Sequence, residues 1–390
     1  MRLRSLDGLR GFAALAVVLG HALLSSPVFF GALYVPTDIH RFSLDWWLTR
    51  PPVNLLWSGS LAVLIFFVLS GLVVLLPFVR PEAVSGAQWA GYYPRRLIRL
   101  YVPVWAAVGV AVLLGMAVHR HPIEGLSPWL VIHHDPQQAQ VVRDLTLLHG
   151  ADDSIRPFAE INGPLWTLKW ELWFSLLLPI YVALARIGRR GSLIKVAIML
   201  DLIAIGAHTN RPWLLYLPVF GIGAAMAGDL DRITRLADWL RDRRAVALML
   251  FVVALALLDT NALRLLHGPV PVVSAPSQVG ASLGAGLVVL LVLVAAPVRK
   301  ACDSRVAQWL GKVSFSLYLV HEPIVVSVVL LLGKGTSIFV AFAISVPLSL
   351  LAGWLFHVVA EGPAHDLSRR VGDAVTRNVS QRRVVTSHLT

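Results

Sequence analysis

The chain is 390 residues long, 57% hydrophobic and 14% charged, with a mean hydropathy of +0.71. Soluble domains carry roughly a quarter charged residues, so this composition excludes an ordinary soluble domain and predicts an all-α, polytopic membrane protein. The net charge of +12 does not imply nucleic acid, because the cations fall in loops on one side and form no continuous face. The single cysteine, Cys302, excludes an intramolecular disulfide framework and a cysteine metal cage.

The first element is Ser5–His21, SLDGLRGFAALAVVLGH, apolar almost throughout beyond Phe12. Arg2 and Arg4 ahead of it resemble the start of a signal peptide. Asp7 and Arg10 interrupt that pattern and no small-x-small site follows Leu24, so it reads as a retained first span. A bilayer core takes about 20 apolar residues per helix. Candidate spans lie near 9–26, 60–79, 101–118, 165–186, 193–209, 212–229, 245–259, 280–298, 314–332 and 336–358, giving about ten transmembrane helices. Alternating from a cytoplasmic start puts most Lys and Arg inside and predicts cytoplasmic N- and C-termini. Residues 1–365 form one membrane domain. Residues 366–390 are a polar cytoplasmic tail, expected to be disordered, in which the Asn378-Val379-Ser380 triplet is idle. Residues 230–244 place Leu, Ile and Trp at helical spacing among charges and predict an amphipathic surface helix. The sizeable outer loops are Pro27–Gly59 and His119–Pro164.

An ionisable residue inside a span is a functional-site hypothesis, and His21 is the first. It stands eleven residues past Arg10, about 16 Å along a helix rising 1.5 Å per residue. A neutral imidazole there suits a general base, and a packing histidine is the plain alternative. Glu171, in NGPLWTLKWELWFSLLLP, enters from the opposite face to a similar depth. A carboxylate beside imidazole would orient it and stabilise the imidazolium, so Glu171 is the expected partner of His21. Arg96 and Arg99 are three apart and line one face of the third span; with Arg10 they suit phosphate recognition, against a competing role as lipid anchors.

Ser70 lacks a nucleophile elbow and, beside Gly71, reads as close helix packing. His321-Glu322-Pro323 is a second polar site or a hinge where Pro323 frees a carbonyl. Trp166, Trp170 and Trp173 suit an aromatic belt, with Trp166, Ser70 and His321 kept as substrate-side or polar positions. Asp201 has no assignment. His119, His121, His133, His134 and His149 lack metal spacing and read as solvated loop residues, so no metal is expected.

Taken in order, Leu6-Asp7-Gly8-Leu9-Arg10-Gly11 with His21, Phe66–Gly71, Arg95–Pro103, Pro164–Glu171, Ser314–His321 and Val359–Pro363 resemble the acyltransferase-3 family of integral-membrane acyltransferases. The resemblance covers about residues 1–365. It implies transfer of an acyl group, commonly acetyl, from a coenzyme A thioester to hydroxyls of sugars or glycosylated metabolites, with acyl-CoA as co-substrate and no permanently bound cofactor. It places Arg10 and His21 in one motif and Arg96 and Arg99 in another. Leu168-Lys169-Trp170 departs from the polar residues expected before Glu171. The expected protein is thus a multi-pass O-acyltransferase of the cell membrane, in contact with lipid and compatible with a homo-oligomer, with His21 and Glu171 catalytic and Arg10, Arg96 and Arg99 holding the donor. The rival is a secondary transporter of an anionic or lipid-linked sugar, which would show inverted repeats; none is visible.

Overall fold

The computed structural model describes residues 4–34, 42–79, 86–120, 127–148, 161–187, 191–259, 274–333 and 335–387. Arg2, His121 and His149 lie outside these. The described residues are helical and turn-forming, with no strand among them. In chain order the helices are α1 (Arg4–Leu24), α2 (Pro27–Tyr34), α3 (Leu44–Leu48), α4 (Gly59–Leu75), α5 (Gly86–Ala117), α6 (Pro128–Val131), α7 (Gln138–Thr146), α8 (Leu165–Leu176) and α9 (Leu178–Arg186). They continue as α10 (Ser192–His208), α11 (Pro212–Ala227), α12 (Leu230–Leu240), α13 (Arg244–Leu258), α14 (Ala275–Val294), α15 (Ala296–Cys302), α16 (Arg305–Leu332), α17 (Ile338–Phe356) and α18 (Gly362–Ser387).

Among the described residues six helices are long and apolar enough to cross a membrane, and two sharply bent pairs, α8 with α9 (60°) and α11 with α12 (74°), would bring the number to eight. The sequence expectation of about ten exceeds this for a physical reason. The segments at 193–209 and 245–259 become α10 and α13, of 17 and 15 residues, short of the length a bilayer core asks for. The amphipathic helix expected at 230–244 is α12, with only Leu240 buried.

The bundle is organised on α1 and α16, which pack along each other. Small residues permit that closeness. A Cβ on Gly8 would collide with the Cys302 carbonyl, and one on Gly11 with the backbone and side chains of Ala307–Gly311. Cys302 is buried there, and burial pushes its thiol up to about 11. In the same way Gly71 lets α4 meet α11 at the Phe220 carbonyl, the packing expected of the Ser70-Gly71 pair.

Residues 366–387 depart from the expected disordered tail. They continue α18, which packs on α5. Ala364, Ser368 and Gly372 are buried at four-residue spacing, a small-residue stripe concealed within a polar composition. Arg95 Nη2 lies 2.5 Å from Asp373 Oδ1 across the contact. The start of α1 is tied to α15 and α16 at Gln308, whose Nε2 donates to the carbonyls of Arg4 and Cys302.

Candidate active site

Two cavities adjoin along α1. The first, about 250 Å³, is lined by Asp7 and Arg10 of α1, Ser70 of α4, Arg96 and Arg99 of α5, and Glu171 of α8. The helical spacing of Arg96 and Arg99 turns both toward it, and α1 supplies Arg10. The cationic site read from the sequence is therefore one place. Arg96 forms an ion pair with Glu171 through Nη2, and its Nε donates to Ser175 Oγ at 2.9 Å. Ser70 Oγ donates to Glu171 Oε1 at 3.1 Å.

That position corrects the expected pairing of Glu171 with His21. The matched depths had assumed that the two helices face each other at mid-span. In the fold, α8 presents Glu171 to α5, and His21 lies in the second cavity. Lys169 is buried with its ammonium 5.1 Å from the Trp170 ring centre.

The second cavity, about 170 Å³, is lined by His21, Trp57, Trp129, His133, Gly163, Trp166, Tyr318 and Glu322 among others. Val63 and Tyr318 line both cavities, so the two meet there. Trp166 faces this space rather than an outer belt alone, and Trp173 remains exposed.

Glu322, on α16, is the carboxylate that meets His21. Its Oε2 lies 3.0 Å from His21 Nδ1. Its Oε1 accepts from the Gly163 backbone N–H at 3.1 Å and lies 2.8 Å from His133 Nε2. A Cβ on residue 163 would press on that carboxylate and displace the end of the Glu322 side chain. The segment before α8 is docked by a consequence of Pro323. A proline inside a helix cannot bond the carbonyl four residues back. That carbonyl, of Leu319, instead accepts from Asn162 Nδ2 at 2.7 Å, which realises the freed carbonyl expected at His321-Glu322-Pro323. Tyr318 Oη, 2.8 Å from Thr167 Oγ1, donates to the Pro164 carbonyl at 3.2 Å and fixes the next turn.

The hydrogen bonds assign the histidine tautomers. His321 Nδ1 lies 3.0 and 2.9 Å from the Leu317 and Tyr318 carbonyls. Carbonyls only accept, so Nδ1 carries the proton and Nε2 a lone pair. That lone pair faces His21 Nδ1 at 2.9 Å. Both neighbours of His21 Nδ1 thus accept, which puts the proton on Nδ1 and leaves Nε2 as the basic nitrogen. His321 is fully buried and Glu322 4% exposed. A buried carboxylate persists only when its lone pairs are met by donors, and here His21, His133 and Gly163 meet them. His21, His321 and Glu322 also offer three ligand atoms within 4.8 Å of one another, all engaged in the hydrogen bonds just described.

Sequence reasoning missed Glu322 as the carboxylate partner of His21, and His133 as the second histidine on that carboxylate. The signal for Glu322 was present, a charge inside the apolar run SLYLVHEPIVVSVVLLL. No sequence signal distinguished His133 from the other outer-loop histidines. Asp201 is exposed on α10, away from both cavities.

A helical bundle with several membrane-long apolar helices, a cation-lined cavity and an adjoining histidine–carboxylate cavity is that of a multi-pass membrane protein with ionisable groups held in its interior. The chain belongs to the acyltransferase-3 family: the family's acyltransferase-domain model matches residues 3–358. It is similar to Acyltransferase R4 of a Phoma species (26% identity, 94% of this chain and 95% of that protein) and to Acyltransferase MdmB of Streptomyces mycarofaciens (26%, 95% and 93%). O-acetyltransferase PaAT-1 of Phomopsis amygdali is 26% identical over 91% of this chain and 80% of its own length. No solved structure matches. The chain is thus an acyltransferase of the non-aminoacyl kind, which decides against the transporter.

Proposed function

We propose that this acyltransferase moves an acyl group, acetyl in the simplest case, from acyl-CoA to a hydroxyl of a carbohydrate or glycosylated metabolite. The observation that carries the reading is the meeting of the arginine-lined and histidine-lined cavities at Val63 and Tyr318. Arg10, Arg96 and Arg99 hold the phosphates of the donor, and the pantetheine arm brings the thioester toward Tyr318. His21 Nε2 takes the proton of the acceptor hydroxyl as its oxygen attacks the thioester carbonyl. The tetrahedral adduct collapses by breaking the C–S bond, and the departing thiolate receives the proton from His21. Glu322 holds the Nδ1–H and stabilises the imidazolium. Transfer is direct, with Ser70 acting as a donor to Glu171 in place of a nucleophile, and the chemistry needs no metal.

The relative named an O-acetyltransferase supports the choice of acetyl and oxygen. The shared lining of the first cavity by Asp7 and Arg10 of α1 and Arg96 and Arg99 of α5, and the packing of α18 on α5, support placing both termini at the arginine end, on the cytoplasmic side where acyl-CoA is found. In this reading the spanning helices lie in the cell membrane.

The test uses membranes carrying the protein, acetyl-CoA, and the glycan and secreted-metabolite fraction that differs in mass between wild-type and deletion strains. Wild type is expected to release coenzyme A and acetylate that fraction. A correctly folded His21→Gln variant is expected to lose about a thousandfold in rate, within the range of general-base contributions. Retained activity in that variant removes the base from His21.

A further inference from the structure

The outer-loop histidines read as solvated, yet His133 is only 6% exposed. Ser127 caps α6, accepting from the Trp129 backbone N–H at 3.2 Å, and His133 follows one turn later. Its Nδ1 lies 2.9 Å from the Trp129 carbonyl and its Nε2 2.8 Å from Glu322 Oε1. Both neighbours are acceptor oxygens, so both ring nitrogens donate and His133 bridges its own turn and the carboxylate as an imidazolium. The same turn sets the Trp129 ring against His21, centroids 5.5 Å apart. A single turn of the loop between α5 and α8 therefore touches both members of the catalytic pair.

We propose that His133 is a positioning residue for the His21–Glu322 pair, clamping Oε1 together with the Gly163 N–H so that Oε2 stays on His21 Nδ1. The terminal torsion of a glutamate is soft, and the hydrogen bonds described to Oε1 come from outside α16. Donors from two loop positions do so from the far side. With His133 removed, Oε1 keeps one donor and the carboxylate swings, leaving the Nδ1–H of His21 imperfectly held at the moment the imidazolium forms. Groups that orient a reacting residue from behind are typically worth about 10–100-fold in activity. The proposal rests on the acyl-transfer reading above.

The experiment is a double-mutant cycle in wild type, His133→Ala, His133→Gln, Glu322→Gln and the His133→Ala/Glu322→Gln pair, following coenzyme A release from acetyl-CoA with the same acceptor fraction. His133→Ala is expected to lower kcat about 10–100-fold while donor KM stays within about twofold. His133→Gln, whose amide N–H still reaches a carboxylate, recovers most of the loss. On the Glu322→Gln background, His133→Ala costs less than about twofold more, because residues acting through one another are not additive. An equal loss on both backgrounds, or kcat within about twofold of wild type in His133→Ala, overturns the clamp. If wild type itself releases no coenzyme A, the acyl-CoA reading fails. The same variants then test the clamp by melting temperature, where coupled changes at 133 and 322 uphold it and additive ones overturn it.

Discussion

The two cavities differ in charge and in wall. The first carries Arg10, Arg96 and Arg99 against Asp7 and Glu171, an excess of cation suited to a polyanion. The second has no Lys or Arg among its described lining residues; Glu322 is its carboxylate, set among His21, His133 and the rings of Trp57, Trp129, Trp166 and Tyr318. The separation has a physical reason. A guanidinium beside His21 would oppose the imidazolium that base catalysis must form, whereas a phosphate-bearing donor needs such cations. In the proposed reaction the arginines of the first cavity face the donor, while the described lining of the second leaves His21 among histidine, carboxylate and aromatic neighbours. The two cavities also give the two glutamates different partners, half-buried Glu171 an arginine and buried Glu322 two histidines.

The largest test of this division compares those glutamates. Glu322→Gln is expected to lower kcat by about 10²–10⁴, as when the orienting carboxylate of a catalytic histidine becomes an amide, with donor KM little changed. Glu171→Gln should act mainly on donor KM, because it frees Arg96 from its ion pair. Initial rates over a range of acetyl-CoA concentrations separate the two, and an equal loss of kcat in both variants breaks the comparison. Next in size, Arg99→Ala is expected to raise donor KM about 10–100-fold, the worth of a charge-assisted hydrogen bond of about 1.5–3 kcal/mol. The lysine variant should recover part of it, lacking the fork that matches phosphate. A fall in kcat at constant KM would move Arg99 out of the donor site.

The smallest effect concerns what supports the histidine cavity. Asp144, on α7, is fully buried and accepts from the backbone N–H groups of Ile161 and Asn162, at 3.1 and 3.2 Å, just ahead of Gly163. Burial pushes its carboxyl up to about 7 in spite of those donors. Unfolded aspartate titrates near ~3.9, so between about pH 4 and 7 the folded state keeps a proton that the unfolded chain has lost. The stability tied to this group is complete below the lower value and is lost as pH rises through the higher one. Melting temperature is therefore expected to fall from pH 5 to pH 8, and to fall less in Asp144→Asn, which keeps an acceptor for both N–H groups. Parallel slopes in the two proteins would exclude Asp144 as the cause.

Much of the arginine cavity was legible because its information is local. Arg96 and Arg99 share a face through helical spacing alone, and Arg10 lies at the start of its own apolar run. His21 was legible as an ionisable residue in such a run, though its partner was not. The misassignment to Glu171 arose from depth, a single coordinate: two helices can place residues at one depth and still turn them away from each other. His21 and His321 are 300 residues apart, and no spacing rule reaches that far. His133 was harder still, since a loop histidine carries no periodicity to show that its turn folds inward.

By itself, then, the sequence determined an all-helical membrane protein, its family, and the residue types able to hold a donor and take a proton, since composition, periodicity and short motifs are properties of neighbouring residues. Only the tertiary structure decided that α18 packs as a helix, that α10 and α13 are short, and that Glu322 rather than Glu171 meets His21. Each of those depends on which helix faces turn toward one another, and that is set by close contacts such as Gly8 on Cys302, Gly71 on Phe220 and Gly163 on Glu322.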